Sequence, residues 1–83
     1  MKYKIKYCEM TCSACPSQWD LYTEKDEYIY IRFRWGVLEV SLGVLGKEVF
    51  SWEDTNEWNG TMTTERMIEL TAAVLDFSEA TIK

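Results

Sequence analysis

The chain has 83 residues, a formal charge of −5, and 47% hydrophobic and 14% aromatic residues. This composition excludes a disordered chain, because it supplies ample apolar surface to bury, and the negative charge argues against extended nucleic acid as a partner. We expect one small domain over residues 1–83. No apolar run approaches the roughly 18 residues of a membrane span, and the N-terminus lacks the apolar core of a signal peptide. We therefore expect a cytoplasmic protein with no membrane partner.

The N-terminal segment KYKIKY alternates lysine with apolar side chains, and a period of two predicts a strand. One face of this strand carries Lys2, Lys4 and Lys6. The opposite face carries Tyr3, Ile5 and Tyr7.

The cysteines Cys8, Cys12 and Cys15 follow, in a predicted loop that ends at Pro16, and their spacing matches the cluster-binding loop of radical S-adenosylmethionine enzymes. Those enzymes set the loop in a barrel far longer than this chain.

Structural zinc needs a full set of Cys or His ligands, and the chain has three Cys and no His. A small metal module completed by Glu9, another acidic side chain or a second subunit is one alternative. A Cys12–Cys15 disulfide or redox pair is another, although the chain lacks the βαβ context of a thioredoxin-like site. We expect no cofactor, and cysteines that pack as small apolar residues.

Two further segments predict strands. Gln18–Thr23 alternates with Trp19 and Leu21 inward, and a polar turn over Glu24–Glu27 follows it. Tyr28 to Gly43 predicts a hairpin that reverses at Trp35-Gly36. In that register the facing pairs are Phe33 with Leu38, Ile31 with Val40, Ile29 with Leu42, Arg32 with Glu39, and Tyr30 with Ser41. Because a two-residue turn needs positive φ at a position where Trp is disfavoured, we expect a longer or bulged loop there.

Another strand is predicted around Glu48–Trp52, and Glu53–Gly60 is predicted as a loop. Thr63 is a plausible helix N-cap. The apolar residues Met67, Leu70, Val74 and Phe77 then recur at helical spacing. The predicted fold class is α+β, an antiparallel meander of four to five strands packed on one face by a single C-terminal helix.

The predicted outward face of the hairpin carries tyrosines and arginines on one strand, namely Tyr28, Tyr30, Arg32 and Arg34, with Trp35 at the turn. Arginine matches phosphate, and aromatic rings stack on bases. If the strand bearing Lys2, Lys4 and Lys6 lies beside it, the two form a basic patch. The alternative is an ordinary solvated face with Arg32 paired to Glu39.

Residues 48–83 are strongly acidic, with two basic and eight acidic side chains, whereas residues 1–47 carry seven and six. Within the acidic half, two indoles flank three carboxylates: Trp52, Glu53, Asp54, Glu57 and Trp58. Exposed Trp beside acidic groups can anchor a protein interface, and the same residues could instead cap one end of the core.

The segments CSACPSQW and YIYIRFRWG, within residues 8–43, resemble small uncharacterised proteins encoded by bacteriophages. The resemblance implies a context rather than an activity. Phages encode many compact acidic proteins that block host defences, some by binding host proteins and some by sequestering cyclic-nucleotide immune signals.

The absence of His excludes a Cys–His nucleophile, and the sequence gives no other support for catalysis, so we predict a non-enzymatic binding protein. The leading hypothesis is a homo-oligomer, a phage inhibitor of host immunity in the host cytosol, that sequesters a small phosphate-bearing nucleotide. The rival hypothesis is an inhibitor that presents its acidic half to a basic host protein. The third is the metal module.

Overall fold

The computed structural model describes residues 2–13, 17–43, 45–53 and 61–83. Over these ranges the chain forms one helix and a sheet of seven strands. The elements in chain order are β1 Tyr3–Cys12, β2 Ser17–Thr23, β3 Tyr28–Arg34, β4 Val37–Leu42, β5 Lys47–Glu53, α1 Thr64–Thr71, β6 Leu75–Asp76 and β7 Thr81–Ile82.

The first five strands form an antiparallel meander in which each strand pairs with the next along the chain. The short strands β6 and β7 pair with β1 in the parallel direction. The α+β class and the mainly antiparallel sheet are therefore confirmed. The predicted strand count was too low, because the two C-terminal strands were not expected and they make the sheet mixed.

The β3–β4 hairpin has the predicted register in all five facing pairs. Its alternate residues Ile29, Ile31 and Phe33 are buried, as the apolar face of a half-covered sheet requires. The expected longer or bulged loop is absent, because Arg34 pairs directly with Val37. Trp35 and Gly36 both have positive φ, 53° and 76°, as in the type I′ turn that matches the twist of a hairpin.

Strand β1 runs through Cys12, so the prediction of a loop beginning at Cys8 is wrong. A bulge between Ile5 and Tyr7 changes the alternation, since a bulge adds one residue to one strand only. Cys8 thereby reaches the buried face. Tyr7, which the alternation places on the same face as Ile5, lies instead beside Tyr22 on the opposite face. Cys15 and Pro16 lie outside the described residues.

The helix begins as predicted, with the Thr63 hydroxyl accepting a hydrogen bond from the Arg66 amide at 3.1 Å. It ends earlier than the apolar stripe indicates, at Thr71. Val74 and Phe77 still pack against the core, but the chain carries them there through β6 rather than through a further helical turn.

The core lies between α1 and one face of the meander, called here the inner face. Its central side chains are Trp19, Leu21, Ile29, Ile31, Phe33, Leu38, Val40 and Met67. The buried Trp19 indole donates a hydrogen bond to the Thr64 hydroxyl at 2.9 Å, which ties the first turn of the helix to β2. The opposite side of the meander, called here the outer face, carries the predicted ligand residues.

Candidate binding surface

Tyr28, Tyr30, Arg32 and Arg34 all lie on the outer face, because they alternate along β3 with residues of the buried inner face. The strand geometry alone produces this arrangement, since successive side chains of a strand point to opposite sides. The sequence prediction that these four side chains share a face therefore agrees with the structure. Their role in binding stays a prediction.

The hairpin tip presents the most exposed of the predicted ligand residues. Trp35 is 62% exposed, and the guanidinium carbon of the exposed Arg34 lies 5.9 Å from the centre of its ring. The Trp35 φ of 53° is left-handed, a conformation that costs an L-residue about 1–2 kcal/mol. The tip thus combines an exposed indole on a strained backbone with an adjacent cation.

The two arginines differ in what surrounds them. Arg32 donates to Glu39 across the hairpin at 3.2 Å, and both side chains are about one-third exposed. Within the described residues Arg34 makes no ion pair. Arg34 is therefore the guanidinium better placed to meet an incoming anion, whereas Arg32 must first exchange its carboxylate partner.

The tyrosines of β3 are neutral phenols at ordinary pH. Burial, followed by the hydrogen bond that its hydroxyl donates to Asp20 at 2.6 Å, holds the pKa of Tyr28 well above its usual value. Burial also raises the pKa of Tyr30, although the adjacent Arg32 opposes the shift. Both rings can stack on a ligand without carrying a charge that would repel phosphate.

The basic patch considered from the sequence does not form. Strand β2 separates β1 from β3, and the lysines lie at the other end of the sheet, since Ile5 pairs with Thr23 whereas Arg32 pairs with Gln18. Two of these lysines are already engaged, Lys4 with Glu79 at 3.1 Å and Lys6 in an ion pair with Asp26.

A cavity of about 520 Å³ lies at that lysine end of the sheet. None of the predicted ligand residues lines it. Its walls are formed by Lys2, Tyr3, Lys4, Thr23, Glu24, Lys25 and Glu27. Because three lysines and two glutamates line it, this cavity has no strong preference for an anion over a cation.

The predicted acidic surface is only partly described. Trp52 lies on the inner face opposite Leu38 and packs against the core, with the Arg66 guanidinium 5.8 Å from the centre of its ring. Glu53 is exposed and pairs with Val37. Asp54, Glu57 and Trp58 lie outside the described residues. Trp52 was considered either as an interface anchor or as a cap on one end of the core, and its position agrees with packing against the core.

The two described cysteines, Cys8 and Cys12, do not converge on one point. Cys8 is buried on the inner face, and this burial raises the pKa of its thiol to about 11. Cys12 pairs with Gln18, a residue of the outer face, so the two thiols lie on opposite sides of the sheet. No group of three or more His, Cys, Asp or Glu side chains in the described ranges could hold a metal ion. The metal hypothesis thus has no support there.

A row of three tyrosines on the outer face was missed from the sequence. Tyr7, Tyr22 and Tyr28 stand opposite one another on β1, β2 and β3. The strict alternation of KYKIKY places Tyr7 on the wrong face, because the bulge after Ile5 is not visible in that pattern. The outward position of Tyr22 was, by contrast, available from the alternation of β2.

No protein-family model, curated protein or solved structure matches the chain. Among the described residues no helix is long and apolar enough to cross a membrane.

Proposed function

We propose that the chain is a non-enzymatic binding protein that holds a small phosphate-bearing, nucleotide-like ligand at its β3–β4 hairpin tip. Arg34, assisted by Arg32, contacts phosphate, and Trp35 provides the main stacking surface, with Tyr30 further along the same face. Tyr28 is seven residues from Trp35, roughly 23 Å along the strand, so it lies outside this tip site. The observation that carries the proposal is the strained and exposed Trp35 beside Arg34.

The strain supports a binding role because folding does not need this tryptophan. The turn position favours Asn, Asp or Gly, which adopt positive φ at little cost. An indole that is 62% exposed returns little burial energy in compensation. Backbone strain that the fold does not require is concentrated at functional sites, and Trp and Arg are the residues most enriched at the energetic centres of interfaces.

The chemistry of the tip suits a nucleotide. A guanidinium binds two phosphate oxygens through parallel N–H donors, and an indole ring stacks on any base without sequence preference. Arg34 and Trp35 already lie within cation–π distance of each other. Part of the side-chain conformational entropy that binding would cost is therefore lost before the ligand arrives. The resemblance to phage proteins extends the proposal to a host immune signal as the ligand. Because chains this small often build pockets between subunits, the proposal also includes a homo-oligomer as the binding form.

Isothermal titration calorimetry with cyclic di-GMP and ATP as probes tests the proposal. We expect Arg34→Ala and Trp35→Ala each to weaken binding at least about fivefold, given that a charge-assisted hydrogen bond or a stacked base contributes roughly 1–3 kcal/mol. Lys25→Ala is the matched control, because it removes one positive charge from an exposed turn away from the tip. Unchanged binding by the tip variants would contradict the proposal.

Comparison of two Trp35 variants separates binding from stability. Both Trp35→Asn and Trp35→Ala remove the indole, but only Asn tolerates the left-handed turn position. We expect the Asn variant to unfold with a free energy about 1 kcal/mol higher than the Ala variant in urea titrations, while both lose the ligand. Equal stabilities would show that φ at this position carries no strain.

The acidic-surface hypothesis remains a second candidate, favoured by the exposed Glu53 at the end of β5. In that case a basic partner protein would bind the Arg34→Ala variant as well as the wild type. Its affinity would fall with added salt and with Glu53→Gln, and cyclic di-GMP would not compete.

A further inference from the structure

The outer face carries a second set of side chains, at the end opposite the hairpin tip. The rings of Tyr7 and Tyr22 have centres 6.4 Å apart, and those of Tyr22 and Tyr28 are 5.6 Å apart, both pairs tilted. Tyr22, in the middle, is 41% exposed. The three rings form a continuous aromatic strip across β1, β2 and β3, and α1 covers only the other side of the sheet.

Two carboxylates adjoin this strip and directly face each other. Glu9 on β1 pairs with Asp20 on β2, which puts two like charges at opposing positions, an arrangement that destabilises a sheet. Neither carboxylate makes an ion pair within the part of the chain that the structure describes. Each accepts a hydrogen bond from a tyrosine of the strip, Glu9 from Tyr7 at 2.7 Å and Asp20 from Tyr28 at 2.6 Å.

The chain itself places one cation on this strip. The Lys83 ammonium lies 5.9 Å from the centre of the Tyr7 ring. A phenol whose hydroxyl donates a hydrogen bond to a carboxylate has a more electron-rich ring, which favours a cation over its face. The nearby Lys6 is committed to Asp26, so it does not neutralise Glu9 or Asp20.

We propose that the strip formed by Tyr7, Tyr22 and Tyr28, together with Glu9 and Asp20, binds an arginine-bearing segment of a partner protein. The argument is charge complementarity. A guanidinium can stack on a tyrosine ring while its N–H donors reach a carboxylate, and arginine does this better than lysine because its cation is planar and less strongly hydrated. This surface goes beyond the proposed function, since it lies at the other end of the sheet and selects the opposite charge.

The probe is an eight-residue peptide of alternating glycine and arginine, and its matched control replaces every arginine with neutral citrulline. We expect nuclear magnetic resonance titration to show saturable shifts of the Tyr22 ring signals with the arginine peptide and none with the citrulline peptide. Tyr22→Leu leaves the net charge unchanged and should weaken binding about two- to fivefold. Asp20→Asn retains an acceptor for Tyr28 and should weaken it by a similar factor.

Three controls make the result decisive. Glu65→Gln removes one negative charge from the exposed start of α1, so it should leave the affinity unchanged if binding is local. Trp35→Asn should also bind the peptide normally, which separates this surface from the hairpin tip. Tyr22→Phe retains the ring and should bind like the wild type, which guards against a folding defect in the leucine variant. Equal binding of the citrulline peptide, or an equal loss in Glu65→Gln and Asp20→Asn, would overturn the proposal.

Discussion

Cys8 shows how burial determines the chemistry of a single side chain. Its thiol lies in the core opposite Leu21, and loss of hydration raises its pKa from an ordinary 9.0 to about 11. A thiol is a nucleophile and a metal ligand only as the thiolate, so Cys8 is inert near neutral pH. In this position it behaves as a small apolar residue.

The raised pKa of Cys8 predicts a pH dependence of stability. The thiol is protonated in both states below about pH 9, where its contribution is fully present. As the pH rises from 9 towards 11 the unfolded chain loses this proton first, so stability falls, by at most about 2–3 kcal/mol. Urea titrations at several pH values should show a steeper loss for the wild type than for Cys8→Ala. The titrating tyrosines are common to both proteins, so parallel curves would exclude the Cys8 contribution.

Trp35 and Tyr7 show where residue-level prediction succeeds and where it fails. The Trp35-Gly36 reversal follows from pairing the apolar residues of the two strands, and the structure has that register. The conformational preference of Trp argued for a longer loop, but the many facing pairs of the hairpin outweigh the cost of one strained residue. The outward position of Tyr7 depends on a bulge, and its formation is decided by the pairing of β1 with β2 rather than by local sequence.

At the level of elements, the end of α1 is set by competition between a helix and a strand. The apolar spacing of Val74 and Phe77 is compatible with further helical turns. The chain leaves the helix because the edge of β1 offers backbone partners: the Tyr3 amide donates to the Val74 carbonyl at 2.8 Å, and Leu75 pairs with Tyr3. The helical spacing alone could not predict this change from helix to strand, since the β1 residue that pairs with Leu75 is some 70 residues away in the sequence.

The contact between α1 and β2 gives a second stability prediction. Trp19 is fully buried, and its indole donates to the Thr64 hydroxyl. Thr64→Val preserves the shape but leaves that donor without its partner, which should lower the free energy of unfolding by about 1–3 kcal/mol. Thr64→Ser retains the hydroxyl and should lose much less. A loss in Thr64→Ser as large as that in Thr64→Val in urea titrations would contradict the prediction, because only the valine variant removes the hydrogen bond.

At the scale of the whole molecule, the C-terminal strands protect one edge of the sheet. β6 covers the start of β1, and β7 covers its middle, where the Lys83 amide donates to the Cys8 carbonyl at 2.8 Å. An uncovered edge strand is a template for pairing with another chain. Although β6 and β7 have only two residues each, they therefore affect association as well as stability.

Deletion of residues 81–83 tests this protection. We expect faster hydrogen exchange at the Met10 amide, which donates to the Lys83 carbonyl at 3.4 Å, and concentration-dependent self-association in analytical ultracentrifugation. Lys83→Gln is the control, because it keeps the backbone hydrogen bonds while removing the side-chain charge. If the deleted protein and Lys83→Gln associate to the same degree, the charge rather than the open edge is responsible.

The sequence by itself determined the α+β class, the β3–β4 register, the start of α1 and the shared face of Tyr28, Tyr30, Arg32 and Arg34. These features follow from side-chain periodicity and capping, which act over a few residues or between neighbouring strands. Only the tertiary structure decided the end of α1, the bulge in β1, the separation of the lysines from the arginines and the tyrosine–carboxylate strip. Those features depend on which strands and backbone edges meet across the sheet. The free energy of those contacts belongs to pairs of segments far apart in the chain, so no local pattern reveals it.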